Sequence, residues 1–297
     1  MGQGELELSV ILPAYNEAAS IGGVLERLQA ALARVEGLDG RYEVVVVDDG
    51  STDDTAQQVR AVPGVRLVQH PYNLGNGAAV KTGIRRSLGR VLLLMDADGQ
   101  HDPAQIARFL DAAGRYDMVV GARDRGSQAG LHRSLANWAY NHFASYVTGR
   151  RVLDLTSGYR AIRADVARRF VGLLPNGFSY PTTITLCLMR AGFSVLYLPI
   201  AAARRTGKSK IRPLADGSKF LLVIMKICML FSPLKIFLPV SLYLFLMGVG
   251  YYGYTYWSEH RFTNMSMLLF TTAVMVFMMG LVAEQIAQMR FERSEDP

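Results

Sequence analysis

The stretch EVVVVDDGSTD, residues 43–53, decides the fold class of this 297-residue chain. Four consecutive valines follow Glu43, and an apolar β-branched run without alternation is typical of a strand that is buried on both faces. The acidic and small polar residues that come next predict a turn and the start of a helix. Because such a strand needs helices on both sides of its sheet, the stretch predicts an α/β fold with a mostly parallel sheet.

The same succession of apolar run, polar turn and helical stretch recurs through the first part of the chain. Alternating strands and helices of this kind are typical of a parallel sheet that is wrapped by helices. The sequence predicts strands at residues 6–12, 43–47, 65–69, 91–95 and 118–121, and helices at residues 18–33, 77–87 and 103–112.

Four of the predicted strands are followed at once by polar or glycine-rich residues. In an open parallel sheet, ligands bind beyond the carboxyl ends of the strands, so these turns indicate a binding site at one edge. Each turn alone has an ordinary explanation: the acidic run equally suits a helix cap, and the glycines lack the dinucleotide and Walker patterns. Lys81, one helical turn after the glycines, either reaches a ligand or faces solvent, and solvent is favoured. The four turns are residues 13–17, 48–51, 73–77 and 96–100.

The stretch LLLMDADGQHD, residues 92–102, is the turn that is most informative about chemistry. Asp96 and Asp98 alternate at the end of a buried strand, where two unpaired carboxylates would repel each other unless they share a cation. A calcium loop of the EF-hand type is excluded, because this stretch lacks the glycine and the glutamate that the loop needs at its sixth and twelfth positions. We predict a divalent metal site, with an ordinary surface turn as the alternative for this motif by itself, and we expect Asp102 to start the next helix.

Charge is distributed unevenly along the chain. The residues before Phe220 hold 27 of the 32 Lys and Arg and 20 of the 25 Asp and Glu, so the whole net charge of +7 lies there. Six bases crowd into residues 201–219, and a basic cluster beside an apolar region suits anionic lipid or a phosphorylated ligand. No zinc spacing, aromatic RNA-binding signature or helix-turn-helix pattern accompanies it, so we expect no nucleic-acid partner. Cys187 and Cys228 form no metal or redox motif.

Two uncharged stretches near the end of the chain predict a pair of membrane helices. Residues 236–256 and 264–283 are 21 and 20 residues long, and each is long enough to cross roughly 30 Å of hydrocarbon as a helix. Lysines precede the pair and arginines follow it, so the positive-inside rule predicts an integral membrane protein with the preceding domain and both termini in the cytoplasm. Two buried helices of a soluble core are the alternative, although such helices usually show a polar face.

These patterns divide the chain into three segments. Residues 1–219 are expected to form the cytoplasmic α/β domain, and residues 236–297 the two membrane helices and a short tail. Residues 220–231 are apolar apart from Lys226, and a Ser-Pro pair ends the helical pattern there. We expect residues 220–235 to form an amphipathic segment that lies on the membrane surface.

Seven motifs occur in the order found in family 2 glycosyltransferases, and the chain resembles that family. More narrowly, it resembles dolichyl-phosphate mannose synthases and the bacterial polyprenyl-phosphate sugar transferases that carry two C-terminal membrane helices. The resemblance implies a GT-A, Rossmann-like catalytic domain. The motifs are LPAYNE (residues 12–17), VVVVDDGSTD (44–53), LGNGAAVKTG (74–83), MDADGQHDP (95–103), GAR (121–123), DLTSGYRAIR (154–163) and RTGKSK (205–210).

The resemblance also implies a site for a nucleotide-sugar donor. Val47 and Asp49 match positions that flank and hydrogen-bond the base, and Arg123 matches a donor-site arginine. Arg204 and Lys210, in the basic cluster, match residues that clamp phosphates near the membrane. The other donor-binding positions are Pro13, Tyr15, Glu17, Asp96, Ala97, Asp98 and Gln100.

Asp96, Ala97 and Asp98 match the aspartate-x-aspartate element of the resembled family. Its carboxylates meet the donor diphosphate through Mg²⁺ or Mn²⁺, and Gln100 matches a further metal contact. Asp98 is therefore expected to be essential for catalysis. The assignment also makes chemical sense, because a divalent ion with Arg and Lys donors neutralises the charge that develops on the departing diphosphate.

In the resembled enzymes the acceptor is a lipid monophosphate, here polyprenyl or dolichyl phosphate. Its second pKa is about 6, so the ionised phosphate can attack the anomeric carbon of a hexose donor, of GDP-mannose or UDP-glucose type, in one inverting step without a base. Asp154 matches a position near the acceptor; it is a base, a positioning residue or a helix cap, and a positioning role is favoured. Arg160 is either a ligand of the acceptor phosphate or part of a structural ion pair.

Two alternatives stay open at this point. A family 2 enzyme with a hydroxyl acceptor, such as a glycolipid or a polysaccharide, would need a base, and Asp154 is the candidate. An inactive, membrane-anchored nucleotide-binding scaffold would not need the intact set of Asp96, Asp98 and Gln100. The donor base, the sugar and the oligomeric state do not follow from the sequence, which also allows a homo-oligomer.

Overall fold

The computed structural model describes residues 6–123, 140–146, 148–177, 179–200, 225, 228–229 and 232–295. The chain divides into two compact units, Met1–Ile211 and Arg212–Pro297, and each is described by itself. Arg204, Lys210 and most of the expected interfacial segment, residues 220–235, lie outside the described residues.

The described part of the first unit contains a seven-stranded sheet with the order β3-β2-β1-β4-β6-β5-β7. Neighbouring strands are parallel throughout, except that β6 runs antiparallel to both β4 and β5. The prediction of a mostly parallel sheet is therefore confirmed. The strands are β1 (Leu8–Ala14), β2 (Tyr42–Asp48), β3 (Val65–Gln69), β4 (Val91–Leu94), β5 (Met118–Arg123), β6 (Arg160–Arg163) and β7 (Val195–Ile200).

Helices cover both faces of this sheet, as the four valines of β2 require. Val44 and Val46 belong to the main apolar core, together with the buried face of the first helix, whereas Val45 and Val47 pack with Ala79 on the opposite side. The α-helices of this unit whose bounds lie within the described residues are α1 (Ile21–Leu32), α2 (Thr55–Ala61), α3 (Asn76–Arg86), α4 (Ile106–Ala113), α5 (Ala164–Phe170) and α6 (Tyr180–Arg190).

All five predicted strands are present, and most of their bounds shift by one or two residues. The largest difference is at β1, where the sequence predicts a turn from Pro13 but the strand continues to Ala14. Strand β4 pairs with β1 only as far as Ile11, so Pro13 has a strand on one side only, opposite Val47 of β2. A proline is tolerated at such an edge position because its missing N–H is not needed by a second neighbour.

The N-terminus of α3 is covered by the chain segment at residues 175–177. The N–H of Ala78 donates to the carbonyl of Asn176 at 3.0 Å, and the amine of Lys81 donates to the side-chain oxygen of the same asparagine. Lys81 is half-buried, and its side chain ties α3 to this segment. The glycine turn before α3 serves close packing of backbone on backbone.

Replacing Gly77 with alanine should lower the free energy of unfolding by about 1–3 kcal/mol. A Cβ at this position would lie 2.1 Å from the carbonyl oxygen of Pro175 and 2.6 Å from that of Gly177, so the backbone segment over α3 has to move. Urea unfolding of the full-length protein in detergent measures the difference. Gly23→Ala is the matched control, because a Cβ there meets no atom within 4 Å and alanine is the better helix former; equal losses in both variants would contradict the argument.

The second unit contains two long helices, α7 (Leu234–Glu259) and α8 (Asn264–Glu295). Segments Leu234–Ser258 and Asn264–Met289 are long and apolar enough to cross a membrane, and only 11% and 17% of an apolar 18-residue stretch in each is buried within the protein. The core helices of a soluble protein would be mostly buried, so the alternative of a soluble core loses its support.

Small residues allow α7 and α8 to pack closely. A Cβ at Gly280 would lie 2.6 Å from the Cβ of Phe237, and one at Gly248 would lie 3.0 Å from the ring of Phe270. Close approach at glycines is a common way for helices to associate in lipid. At one end of the pair, Glu284 of α8 accepts the N–H of Leu234, the first residue of α7, at 3.1 Å.

Candidate active site

The first two strand-end turns of the sheet are locked together by hydrogen bonds. The backbone N–H of Asn16 donates to the hydroxyl of Ser51 at 2.9 Å, and the N–H of Thr52 donates to the side-chain oxygen of Asn16 at 2.8 Å. The turn after β1 is thereby fixed against the turn after β2. Tyr15 and Glu17, two of the predicted donor residues, are half-buried at this edge.

Asp49 links the turn after β2 to the loop that follows β3. Its carboxylate accepts the N–H groups of Leu74 and Gly75 at 3.0 and 2.8 Å and contacts the Nδ1 of His70 at 2.7 Å. The other ring nitrogen of His70 lies 2.9 Å from the hydroxyl of Thr82 on α3. Asp49, only 2% exposed, therefore holds the glycine turn in place in addition to its predicted role at the donor base.

The turn after β4 carries the predicted metal residues. Ala97 is buried, and Asp96, Asp98 and Gln100 are half-buried at the edge of the sheet, which is the alternation that the sequence predicts. The N–H of Gln100 donates to Asp98 at 3.1 Å, and the hydroxyl of Ser20 donates to the carbonyl of Ala97 at 3.1 Å. The hydroxyl of Ser20 also lies 3.0 Å from a carboxylate oxygen of Glu17. With the contacts of Asn16 and Asp49, all four predicted turns are thus connected at one edge of the sheet.

The surroundings of Asp96 favour its ionised form. Its carboxylate lies 3.4 Å from the Nε2 of His101, whose ring stacks on Tyr159 with centroids 4.9 Å apart. Burial by itself would raise the pKa of Asp96, but the hydrogen bond from His101 and the charges of His101, Arg160 and Arg123 lower it below its ordinary value. The side chain keeps 36% of its surface exposed, so an ionised carboxylate is presented at the site.

Asp154 is bound to Arg123 in a two-pronged ion pair. The Nε and Nη2 atoms of Arg123 donate to the two carboxylate oxygens at 2.9 and 3.1 Å. The N–H groups of Thr156 and Ser157 donate to the same carboxylate at 3.0 and 3.1 Å. Burial alone would raise the pKa of Asp154, but these bonds and the charge of Arg123 lower it. Asp154 is thus an ionised anchor that holds Arg123.

Arg160 matches neither of its two predicted roles. Its side chain is fully buried and donates to the carbonyl oxygens of Ser157 and Pro181, the latter at 2.8 Å, and to the hydroxyl of Thr185 at 3.0 Å. In the described part of the chain it forms no ion pair, and burial prevents it from meeting an acceptor at the surface. It joins the segment after Asp154 to α6 and places a positive charge behind Asp96.

The donor set at this edge suits a hard divalent ion that is shared with a ligand. Among the described residues no group of three or more His, Cys, Asp and Glu side chains is arranged to hold a metal by itself. Mg²⁺ is commonly held by one or two carboxylates together with substrate phosphates and waters, and Asp96 and Asp98 supply two half-buried carboxylates from one turn. The residues present therefore fit the predicted ion.

Two known protein families match most of the chain. Residues 9–170, more than half of it, match the family described as Glycosyl transferase family 2. The chain belongs to glycosyltransferase family 2. Residues 232–289, which include α7 and most of α8, match the GtrB C-terminal hairpin. This family 2 protein is therefore a glycosyltransferase with an apolar helical hairpin, and the predicted GT-A architecture is confirmed.

Several curated proteins are similar to this family 2 chain. The undecaprenyl-phosphate mannosyltransferase of Micrococcus luteus is 32% identical over 220 residues, which cover 69% of this chain and 88% of the relative. The dolichyl-phosphate hexose transferase of Haloferax volcanii is 31% identical over 75% of this chain and 94% of the relative. The dodecaprenyl-phosphate galacturonate synthase of Rhizobium johnstonii is 32% identical, and the match covers 55% of this chain and half of that relative.

The fold is also similar to solved structures of glucosyl-3-phosphoglycerate synthase from Mycobacterium tuberculosis. The structure of that enzyme with Mn²⁺, uridine diphosphate and phosphoglyceric acid has a TM-score of 0.59 and 21% identity, with 75% of this chain and 78% of that chain covered. At this identity the likeness supports the fold of the family 2 domain.

Two residues of the site were missed by the sequence analysis. His70 supports Asp49, and His101 supports Asp96. His101 stands inside the quoted aspartate motif, so its position was a usable signal. His70 follows β3 without any motif, and its link to Asp49, 21 residues away, depends on the pairing of β2 with β3.

Proposed function

We propose that this protein transfers a hexose from a nucleotide sugar to the phosphate of a polyprenyl or dolichyl phosphate, with inversion at the anomeric carbon. The observation that carries the proposal is that the carboxylate of Asp154 is already occupied by partners within the protein. Its carboxylate is engaged by Arg123 and by two backbone N–H groups, so it is poorly suited to take a proton from a hydroxyl acceptor. A phosphate acceptor needs no base, because it is largely ionised above its second pKa of about 6.

The curated relatives support the same acceptor class. The names of the Micrococcus, Haloferax and Rhizobium proteins each join the transfer or attachment of a sugar to a polyprenyl or dolichyl phosphate. The solved enzyme of the same fold is described with Mn²⁺ and uridine diphosphate. We extend both features to this chain as part of the proposal.

The proposed donor site uses the connected turns at the carboxyl edge of the sheet. Val47, whose side chain is buried at the end of β2, and Asp49 would flank and hydrogen-bond the base. Arg123 would meet the donor phosphates, with Arg204 and Lys210 as further phosphate ligands. A bound Mg²⁺ or Mn²⁺ would neutralise charge that develops on the departing diphosphate. The remaining donor contacts are assigned to Pro13, Tyr15, Glu17, Ala97 and the three metal residues Asp96, Asp98 and Gln100.

Asp96 and Asp154 prepare the site for the substrate in this proposal. Asp96 stays ionised because His101 and nearby arginines lower its pKa. Its carboxylate would therefore bind the divalent ion without first losing a proton. Asp154 fixes the guanidinium of Arg123 before the substrate arrives, and preorganised charges of this kind stabilise a transition state most effectively.

The hairpin of α7 and α8 is assigned to the membrane, with the catalytic unit and both termini in the cytoplasm. The helices are long and apolar enough to cross it, and bases flank the pair on the side of the termini. In this arrangement a soluble donor and a lipid acceptor meet at the cytoplasmic surface.

Transfer to lipid phosphate tests the proposal directly. The full-length protein in lipid nanodiscs would be incubated with Mn²⁺, labelled UDP- or GDP-hexoses, and either undecaprenyl phosphate or undecaprenol. We expect label in the phosphate lipid with at least one donor and none in the alcohol, since the alcohol lacks an ionised nucleophile. Transfer to undecaprenol at a similar rate would support a hydroxyl acceptor, and no transfer from any common donor would contradict the proposed activity.

A further inference from the structure

The backbone of Gly158 lies directly against the carboxylate of Asp96. A Cβ built on Gly158 would lie 2.2 Å from one carboxylate oxygen of Asp96, 2.8 Å from the other and 2.7 Å from the carbon between them. Real Cβ atoms do not approach other atoms closer than about 3 Å, because the repulsion rises steeply at such distances. Only glycine leaves room for the carboxylate in its present position.

The conformation of Gly158 does not by itself require glycine. Among the described residues, the glycines with positive φ include Gly50, Gly75 and Gly99, but not Gly158. An alanine could therefore adopt this backbone without the strain that the left-handed region imposes. The space taken by the Asp96 carboxylate is the remaining reason for glycine, and that reason is specific to the site.

The segment around Gly158 is held firmly on both sides. The N–H of Ser157 donates to Asp154 at 3.1 Å, and the carbonyl of Ser157 accepts the buried guanidinium of Arg160 at 3.2 Å. Tyr159 packs on His101 and donates its hydroxyl to the carbonyl of Asp102 at 3.3 Å. The backbone therefore cannot retreat easily from a new side chain, and the Asp96 carboxylate is the group that has to move.

We propose that Gly158 is a positioning residue for the metal site. Because it has no side chain, its backbone packs directly against the Asp96 carboxylate and fixes the position of that carboxylate. The same segment, residues 154–160, fixes Arg123 through Asp154, so one short stretch of chain aligns a metal-binding carboxylate and a phosphate-binding arginine. This inference rests on the proposed function, since it takes Asp96 as a ligand of the divalent ion.

Binding of Mn²⁺ tests the role of Gly158 without any need for turnover. The full-length wild type and the variants Gly158→Ala, Asp96→Ala and Gly172→Ala would be titrated with Mn²⁺ in saturating UDP, and separately in GDP, with free Mn²⁺ followed by electron paramagnetic resonance. We expect Gly158→Ala to weaken Mn²⁺ binding about 10- to 100-fold, the range for groups that orient a metal ligand. Gly172→Ala is the matched control and should bind as the wild type does, because a Cβ there meets no atom within 4 Å.

A double variant separates a local contact from general damage to the fold. If Gly158→Ala acts through Asp96, the substitution should lower Tm strongly when Asp96 is present. It should lower Tm much less in the Asp96→Ala background, where the carboxylate is gone. Equal losses of Tm in both backgrounds, or unchanged Mn²⁺ affinity in Gly158→Ala when Asp96→Ala has lost it, would overturn the inference. Unchanged Mn²⁺ binding in Asp96→Ala itself would instead contradict the metal site of the proposed function.

Discussion

Replacing Asp98 with alanine should lower the rate of sugar transfer by about 10²- to 10³-fold, the usual effect of removing one charge-stabilising group from a transition state. Asp98 is half-buried at the edge of the sheet, on the turn after β4, and lies outside the apolar core. Its removal should therefore cost little stability while it takes away one of two carboxylates for the divalent ion. Initial rates with undecaprenyl phosphate, together with Tm, separate the two effects.

Asp102 is the matched control for Asp98, because both carboxylates stand in the same stretch of sequence. Asp102 is exposed, and its side chain accepts the N–H of Ala104 at 3.0 Å at the start of the helical turn Pro103–Gln105. Asp102→Ala should thus lose about 1 kcal/mol of stability, as a helix cap does, and should keep nearly normal transfer. Equal losses of transfer in the two variants would show that the metal site is wrongly assigned.

The sequence was sufficient to predict five of the seven strands, but not β6 or β7, and the edge that carries the site. Each predicted strand is an apolar run that ends in polar residues, and this local pattern is enough to bring Asp49 and Asp96 to the same edge, because parallel strands share their carboxyl ends. The prediction that Asp102 starts a helix is confirmed for the same reason, since a cap acts on residues next to it in the chain.

The contacts made after residue 150 were harder to predict. Strand β6 is only four residues long and begins with Arg160, and a charged side chain is rarely fully buried unless it is paired. Arg160 is accommodated by the backbone carbonyls of Pro181 and Ser157. No sequence motif predicts backbone acceptors of this kind. The proximity of Gly158 and Asp96 depends likewise on the antiparallel pairing of β4 with β6, which the sequence analysis did not predict.

Replacing Arg123 with methionine should destabilise the protein by about 3–5 kcal/mol, the cost of leaving a buried charge without its partner. The side chain of Asp154 is only 6% exposed, whereas that of Arg123 is 29% exposed. Asp154→Asn should therefore cost less stability than Arg123→Met. It leaves the Arg123 cation, which can still reach water, and the amide oxygen of the new asparagine can keep accepting the N–H groups of Thr156 and Ser157. Urea unfolding of both variants in detergent measures this difference, and equal losses would contradict it.

The double variant Arg123→Met/Asp154→Asn distinguishes the structural part of this pair from its part in catalysis. With the buried charge removed, stability should recover well above that of Arg123→Met alone, and the coupling between the two changes gives the interaction of the pair. Transfer to undecaprenyl phosphate should stay low, because the arginine that meets the donor phosphates is still absent. Asp154→Asn alone should keep far more transfer than Arg123→Met, since an ionised phosphate needs no base. Complete loss of transfer in a stably folded Asp154→Asn variant would instead identify Asp154 as the base and point to a hydroxyl acceptor.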